Sequence, residues 1–266
     1  MDAGNITLLS LLDLSAVFDC VYHEILLNWL RITYSLESVI NWFAFYLSHR
    51  TQSVHHDGRF SARSTMRFGV PQGSVLEPLM FLLYTADIEN YITHRGLSPH
   101  LYADDTQMFI CCRPGNTHLL HDTKLSCISN IEEWMCSNWL KLNPAKTEFL
   151  WCATHRRLHL IDESLFIIGN ATIKPATSAR IFSVLMDRDL SLQSHIARLA
   201  GACFKALRQA RAIRRSLMMD ASRMLISKAV LSRIDYCNCI FAGLPDFHLD
   251  RLEQVMRLQR ESFPIA

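Results

Sequence analysis

The spacing of hydrophobic and polar positions changes once along the chain, near residue 190. Before that point, short apolar runs typical of strands alternate with stretches in which apolar residues recur every three or four positions, as in helices. After Leu192 the helical spacing continues almost to the end, with one break at residues 243–245. We therefore predict an α+β part over residues 1–190 and a helical part over residues 191–266.

The same patterns predict the individual elements. Strands are predicted over residues 6–12, 100–103, 106–111, 147–152, 165–168 and 181–186, and helices over residues 23–36, 37–47, 75–92 and 117–139. An Asp-Gly pair at residues 57–58 predicts a hairpin turn in the polar stretch 51–67. Asp104 and Asp105 separate two predicted strands, so we expect both carboxylates to project together from the tip of one hairpin.

Composition excludes several classes of protein. With 50% hydrophobic and 20% charged residues, the 266-residue chain can bury a core and is not a disordered protein. Its nine cysteines include no Cys-x-x-Cys pair, which indicates reduced thiols in an intracellular protein of the nucleus or cytoplasm rather than a secreted one. No apolar stretch approaches the roughly 20 residues of a membrane span, so we predict no membrane partner.

Positive charge is concentrated in the predicted helical part. Residues 180–260 contain fourteen Lys and Arg against seven Asp and Glu, and because the whole chain is at +2, the remainder carries a net −5. Four basic residues are spaced three, three and four apart, as on one helix face: Lys205, Arg208, Arg211 and Arg215. Such a face either binds nucleic-acid phosphates or is only solvated.

Aspartates at two predicted strand ends are the candidates for chemistry. Asp13 follows an apolar strand, where a carboxylate is costly unless it is solvated or binds something positive, although a simple strand-end cap is the alternative. Asp104 and Asp105 alone fit an ordinary turn. If the two sites converge, their oxygens suit a pair of Mg²⁺ ions, which prefer carboxylates together with substrate phosphates.

Five segments of the chain, in order, resemble one family. They read LDLSAVFD at 12–19, GVPQGSVL at 69–76, YADD at 102–105, WLKLNPAKTE at 139–148, and SRIDYCN at 232–238 followed by GLP at 243–245. This series is similar to the reverse transcriptases of non-LTR (LINE-type) retrotransposons, of the jockey and chicken-repeat kind. The Tyr-Ala-Asp-Asp segment alone would be weak, whereas five segments in order are specific.

The resemblance implies a fold and an activity. The fold would be a ferredoxin-like palm, an antiparallel sheet backed by helices, followed by a helical thumb. The activity would be RNA-directed DNA synthesis on an RNA template and a DNA primer, with dNTPs and two Mg²⁺ ions, or Mn²⁺. We expect a palm and thumb piece without fingers, truncated at its C-terminus and of weak or no activity; the oligomeric state is not predicted. A catalytically dead nucleic-acid-binding remnant and a pseudogene product share the same motifs and stay open as alternatives.

The resemblance also implies roles for single residues around the metal ions. Asp13 and Asp104 would bind both ions, with Asp105 as a supporting carboxylate and the Leu14 carbonyl as a further oxygen ligand. Lys146 would protonate the leaving pyrophosphate, or is a solvated surface lysine.

Other residues would contact the nucleotide and the nucleic acid. Phe18 would lie beneath the sugar and exclude a 2′-hydroxyl, or is a core residue, and Gln72, Gly73 and Tyr102 would bind the nucleotide. The basic face that begins at Lys205 would hold the template and primer.

One residue departs from the family pattern near the nucleotide. Glu77 stands where the family usually has glycine, so its carboxylate would repel a triphosphate unless it points away along the following helix.

Overall fold

The computed structural model describes residues 4–15, 17–35, 37–161 and 163–263. Two compact units divide the chain: the first runs to residue 151 and includes 159–176, and the second comprises 152–158 and the chain from 177 onward. Ala16 of the first motif, Leu36 at the end of a predicted helix, and residues 264–266 lie outside the described residues.

The first unit combines ten strands and five longer helices among its described residues. The strands are β1 (Ile6–Leu12), β2 (Thr51–Gln52), β3 (His55–His56), β4 (Arg59–Phe60), β5 (Ser64–Thr65), β6 (Ser98–Tyr102), β7 (Asp105–Cys112), β8 (Glu148–Cys152), β9 (Phe166–Ile168) and β10 (Ala171–Ile173). The helices are α1 (His23–Tyr34), α2 (Glu37–Leu47), α3 (Glu77–Tyr84), α4 (Ile88–Thr93) and α5 (Thr117–Ser137).

A four-stranded sheet in the order β6-β7-β1-β8 forms the centre of this unit. Strand β7 is antiparallel to both β6 and β1. Helices α3 and α4 lie between β1 and β6 in the chain, and α5 lies between β7 and β8, which gives the β-α-β-β-α-β order of a ferredoxin-like fold. The predicted α+β class and antiparallel sheet are therefore confirmed.

The sheet is held by alternating burial on β1. Ile6, Leu8, Ser10 and Leu12 are almost fully buried, and the residues that alternate with them are partly exposed, as expected when one face of a strand packs on helices. The buried stripe of α5, which includes Ile128 and Ile131, supplies part of that apolar layer. The strand therefore ends in a fixed position, with Asp13 directly after its last buried residue.

Two of the predictions for this unit, a helix and a hairpin tip, are wrong. The helix predicted over 75–92 is two helices: α3 ends where the Thr85 hydroxyl and N–H both bond to the Phe81 carbonyl (3.1 and 3.0 Å), and the chain turns over residues 85–87 before α4 begins. The tip of the β6–β7 hairpin is Ala103 and Asp104 rather than Asp104 and Asp105, since Tyr102 pairs with Asp105. Asp105 is therefore a strand residue, and only Asp104 lies in the turn.

The second unit consists mainly of helices. Its elements are β11 (Ser178–Ile181), β12 (Val184–Asp187), α6 (Gln193–Ile213), α7 (Met219–Ile226), α8 (Ser232–Asp235) and α9 (Asp246–Ser262), with a π-helical turn over Ser227–Leu231. Helix α6 packs against α9, and its buried stripe includes Cys203 and Leu207. No helix among the described residues is both long enough and apolar enough to cross a membrane.

The boundary between the units differs from the change in sequence spacing. The strand predicted over 181–186 is a hairpin, with Phe182 and Ser183 at positive φ (44° and 68°) between β11 and β12. This hairpin belongs to the second unit because the Leu185 N–H donates to His195 Nδ1 of α6 (3.3 Å). The units therefore divide near 176, whereas the spacing changes near 190; their roles as palm and thumb stay predictions.

Candidate active site

Strand register brings the predicted catalytic carboxylates to one edge of the sheet. Leu12 of β1 pairs with Thr106 of β7, so Asp13 and Asp105, each one residue further toward that edge, are neighbours. Asp104 lies in the adjoining turn. The first and third motifs thus meet although more than 80 residues separate them in the chain.

The three carboxylates influence one another electrostatically. The pKa of Asp105 is raised, first by partial burial and then by the negative charges of Asp104 and Asp13. Two like charges nearby disfavour ionisation, and a bound cation would reverse that effect. The edge of the sheet therefore concentrates negative charge that a cation can neutralise.

Asp13 is held in place by the fourth motif. The Asn143 side-chain amide donates to Asp13 Oδ2 (3.2 Å), and the Asn143 backbone N–H donates to the Asp13 carbonyl (2.8 Å). The Asn143 Oδ1 accepts from the Ala145 N–H (3.2 Å), which orients the amide with its nitrogen toward Asp13. Sequence reasoning did not select Asn143; its signal was the Asn-Pro turn just before Lys146.

Lys146 lies in the site. Its ammonium nitrogen is 3.5 Å from Asp13 Oδ2, and its side chain is 69% exposed. An exposed ion pair of this kind is weak and easily exchanged for another partner. The ammonium group can therefore leave Asp13 for a phosphate without a large cost.

The Leu14 carbonyl is directed away from the fourth motif. Leu14 and Leu142 form an antiparallel bridge flanked by two hydrogen bonds, from Asn143 N–H to the Asp13 carbonyl and from Ser15 N–H to the Lys141 carbonyl (2.9 Å). In such a pair the central residues point their own N–H and C=O groups to the opposite side. That side of the strand is where β7 pairs with β1, as a ligand role for the Leu14 oxygen requires.

The donor atoms at this edge suit a hard divalent cation, since carboxylate and carbonyl oxygens are the ligands that Mg²⁺ prefers. Within the described ranges, however, no three Asp, Glu, His or Cys side chains approach closely enough to form a complete metal site by themselves. Mg²⁺ typically takes only one or two carboxylates together with substrate phosphates. The residues present fit that mode.

The second motif is anchored on the first by Gly69. Its φ is +80°, and a Cβ there would lie 3.1 Å from the Phe18 carbonyl oxygen and 3.2 Å from the Asp19 Cα, so only glycine fits without strain. The Gly69 N–H donates to the Val21 carbonyl and the Val70 N–H to the Phe18 carbonyl (both 2.8 Å). Gly69 positions the loop that carries Gln72 and Gly73, and sequence reasoning missed it.

The loop residues predicted to bind the nucleotide have protein partners. The Gln72 amide donates to Asp19 Oδ1 (3.1 Å), and the Gly73 N–H donates to the Glu77 carboxylate. Glu77, at the start of α3, is thus turned back toward the loop rather than away along the helix. Gly73 has a φ of +77°, and the space where its Cβ would lie is open.

Two predicted nucleotide contacts lie beside these segments. The half-buried Phe18 packs edge-to-face on the buried Phe81, with ring centroids 5.4 Å apart. Tyr102 is 63% exposed and pairs with Asp105 across the hairpin. Their roles toward a nucleotide stay predictions.

The predicted basic face is less uniform than its spacing suggests. Lys205 and Arg208 are exposed on α6. The Arg211 guanidinium donates to the Ser262 hydroxyl of α9 (Nε to Oγ, 2.8 Å), and Arg215 lies beyond the end of α6 in a 3₁₀ turn. Only part of the predicted set therefore forms one open helix face.

Sequence reasoning missed a basic cleft in the second unit. This cleft, of about 540 Å³, is lined by Arg180 of β11, Arg198 of α6 and Arg233 of α8, and no carboxylate lies among the described residues that line it. Burial, followed by the charge of Arg198, lowers the pKa of the neighbouring His195, whose Nδ1 accepts a backbone N–H. The three arginines are far apart in sequence, so helix spacing alone gave no signal for the cleft.

A family model described as reverse transcriptase (RNA-dependent DNA polymerase) matches residues 2–185. The chain is 27% identical over 209 residues to a probable RNA-directed DNA polymerase from transposon BS of Drosophila melanogaster, covering 75% of this chain and 22% of that protein. It is 28% identical over 201 residues to the RNA-directed DNA polymerase from mobile element jockey of Drosophila funebris, covering 71% of this chain and 20% of the relative. It therefore spans about a fifth of the length of these relatives.

Among solved structures, apo telomerase from Candida tropicalis, truncated from its C-terminal domain, is similar in fold. The TM-score is 0.50 at 13% sequence identity, over 70% of this chain and 35% of that one. At this level of identity the likeness concerns the fold alone.

Proposed function

The chain belongs to the reverse transcriptase (RNA-dependent DNA polymerase) family, and we propose that it is the palm and thumb part of an RNA-directed DNA polymerase from a jockey-like non-LTR retrotransposon. Reverse transcriptases generally use divalent metal ions. The first unit would carry the catalytic centre, and the second would hold nucleic acid in the nucleus or cytoplasm.

The observation that carries this proposal is the register between β1 and β7. It puts Asp13 beside Asp105 and the turn with Asp104, while Asn143 and Lys146 contact Asp13 from the fourth motif. Three of the five ordered motifs therefore meet at one edge of one sheet. This is the arrangement that two-metal nucleotidyl transfer needs.

Asp13 and Asp104 would hold two Mg²⁺ ions, or Mn²⁺, with Asp105 and the Leu14 carbonyl as supporting oxygen donors. When bound, the ions would lower the pKa of a primer 3′-hydroxyl and neutralise charge on the dNTP phosphates. The protein's own contribution is to hold these oxygens in place, which the Asn143 amide does for Asp13.

The remaining residues position the substrate and move a proton. The Lys146 ammonium, 3.5 Å from Asp13, would release that carboxylate and donate its proton to the leaving pyrophosphate. Phe18 would limit space beneath the sugar, and Gln72, Gly73 and Tyr102 would contact the dNTP. Lys205, Arg208 and the arginine cleft would bind phosphates of the RNA template and DNA primer.

A nucleic-acid-binding remnant without catalysis is the second candidate. The observation in its favour is the Glu77 carboxylate on the Gly73 N–H, because it occupies a backbone donor in the loop predicted to receive the nucleotide. A carboxylate there also repels a triphosphate.

Primer extension on an RNA template distinguishes the two candidates. A polymerase extends the primer with Mg²⁺ or Mn²⁺, loses this in Asp104→Asn, and keeps it in Asp57→Asn, whose exposed carboxylate sits in the distant β3–β4 turn. Binding of the primer–template without extension at any concentration of either ion would establish the remnant and exclude the polymerase for this chain.

A further inference from the structure

Three aromatic rings from distant parts of the first unit form a stack. Tyr22, just before α1, is the ring common to both contacts. Its centroid is 5.7 Å from that of Phe68, at 29° between planes, and 5.9 Å from that of Trp139, at 20°. Near-parallel, offset rings at this spacing are a favourable aromatic arrangement.

Two of the three rings, those of Phe68 and Trp139, are exposed to solvent. Phe68 is 51% exposed and Trp139 is 66% exposed, whereas Tyr22 is partly buried between their segments. Aromatic rings bury large areas in cores, so two that remain half in water leave apolar surface available to a ligand. Besides packing against Tyr22, Phe68 and Trp139 therefore present ring surface that a ligand can contact.

The backbone at Trp139 holds its ring in place at a conformational cost. Trp139 follows α5 with a φ of 56°, a left-handed position where helices usually end in glycine. The adjacent Leu140 N–H donates to the Met135 carbonyl (2.8 Å), which fixes this helix end. A bulky residue in this conformation is the kind of strain that is found at functional sites.

The stack stands on the segments that position the catalytic residues. Tyr22 and Phe68 form an antiparallel bridge next to Gly69, which anchors the second motif. Trp139 lies four residues before Asn143, the partner of Asp13. Two exposed basic residues are close in the sequence: Arg67 directly precedes Phe68, and Lys141 follows Trp139 by two positions.

We propose that this aromatic stack, Phe68 with Tyr22 and Trp139, binds unpaired nucleobases of a template or primer strand. Flat, near-parallel rings that are largely exposed suit stacking on bases, and neighbouring basic residues suit a polyanionic backbone. The proposal rests on the proposed function only in taking nucleic acid as the ligand. It requires no catalysis.

The test compares a single-stranded oligothymidine with an abasic oligomer of the same length and backbone, by fluorescence anisotropy without divalent ions. Trp139→Leu and Phe68→Leu should each weaken binding of oligothymidine about tenfold, and leave the abasic oligomer unchanged. Trp139→Phe keeps a ring and should retain most of the affinity.

Trp42→Leu is the matched control. Trp42 is 51% exposed on α2 and stacks on Tyr46 with centroids 5.7 Å apart, so it shares exposure and stacking but lies on another helix. Its loss should not change binding of either oligomer.

Three results would overturn the proposal. They are an equal loss on both oligomers, a matching loss in Trp42→Leu, or unchanged oligothymidine affinity in the Trp139 and Phe68 variants. The last would mean that the rings serve stability or a protein partner. The assay needs neither divalent ion nor dNTP, so a protein that does not extend primers can still show base-dependent binding, and failure of catalysis and failure of this stack are separable.

Discussion

The two units of this molecule carry their functional groups in different ways. In the first, carboxylates gather where antiparallel strands end, and each lies within a recognisable sequence motif. In the second, arginines from a strand and two helices line one cleft without any shared motif. In the first unit, strand register brings residues of short sequence motifs together in one site. In the second, helix packing brings together arginines that no local sequence pattern connects.

The largest expected effect tests the register-built site. Asp13→Asn should lower primer extension by about three orders of magnitude or more, roughly 4 kcal/mol of transition-state stabilisation, because the charge that we propose binds the metal ions is lost. Asn143→Ala, which leaves Asp13 but removes its orienting amide, should cost about 10–100-fold. Single-turnover rates with each variant check both values.

Asn130→Ala provides the control, since Asn130 on α5 donates to the Ser126 carbonyl of its own helix. If Asn143→Ala extends primers as fast as this control, the Asn143 amide does not orient Asp13 for catalysis.

The next largest expected effect concerns the pH dependence of stability and comes from a buried lysine that contacts β7. Lys124 of α5 is fully buried, donates to the Met108 carbonyl (2.7 Å), and burial lowers its pKa to about 7 from 10.5. The unfolded chain holds this proton more tightly. Burial of the charged lysine therefore lowers the free energy of unfolding by the full amount below pH 7. This loss becomes smaller as the pH rises toward 10.5.

Lys124→Met should remove this pH dependence. The free energy of unfolding of the wild type, relative to the variant, should rise by about 1.4 kcal/mol per pH unit, or about 2–3 kcal/mol between pH 7 and 9. Urea unfolding at both pH values measures it. Parallel stability curves for the two proteins would show that Lys124 does not titrate in this range.

The sequence predicted the first unit well because its patterns are local. The bounds of β1 and α2 match, since strand and helix periodicity need only neighbouring residues. The break after α3 was missed; its turn is tied to α5 by a hydrogen bond from the Trp134 indole to the Asp87 carboxylate (3.0 Å), 47 residues away. Long-range contacts of this kind have no periodic signature.

The one-residue shift at the hairpin has the same origin. An Asp-Asp pair favours a turn by its own chemistry, but pairing of Tyr102 with Asp105 fixes the turn at Ala103 and Asp104. Ala103 accepts a φ of 51° to allow it. The pairing of β6 with β7 therefore overrides the local preference, and the register of β7 with β1 puts Asp105 beside Asp13.

Salt dependence tests whether the cleft of the second unit is the main phosphate site. Replacing Arg180, Arg198 and Arg233 by glutamine should reduce the slope of log affinity against log salt for a primer–template duplex by about 2–3, because each lost phosphate contact contributes about 0.9. Replacing Lys205, Arg208, Arg211 and Arg215 should reduce it less, since Arg211 is bonded to Ser262.

The matched control removes the same charge elsewhere in the second unit. Arg251, Arg257 and Arg260 lie on α9, which also carries the carboxylates of Asp250, Glu253 and Glu261. Their replacement by glutamine should leave the slope nearly unchanged. An equal reduction by the α9 and cleft variants would mean that net charge alone governs binding, without a dedicated cleft.

The smallest expected effect concerns Glu77, where the first unit departs from its own motif. Its carboxylate accepts the Gly73 N–H, so a nucleotide phosphate must displace it or be repelled by it. Glu77→Gly should raise dNTP affinity a few-fold, and more at low ionic strength, where screening is weaker. Glu77→Gln keeps the size and removes the charge, so it should reproduce only the salt-dependent part of the gain.

Glu77→Gly also removes an acidic residue from the first turn of α3, which should cost about 0.3–1 kcal/mol of stability. Isothermal titration with a dNTP at two salt concentrations separates these contributions, and equal affinities for all three proteins would show that Glu77 caps the loop without obstructing it.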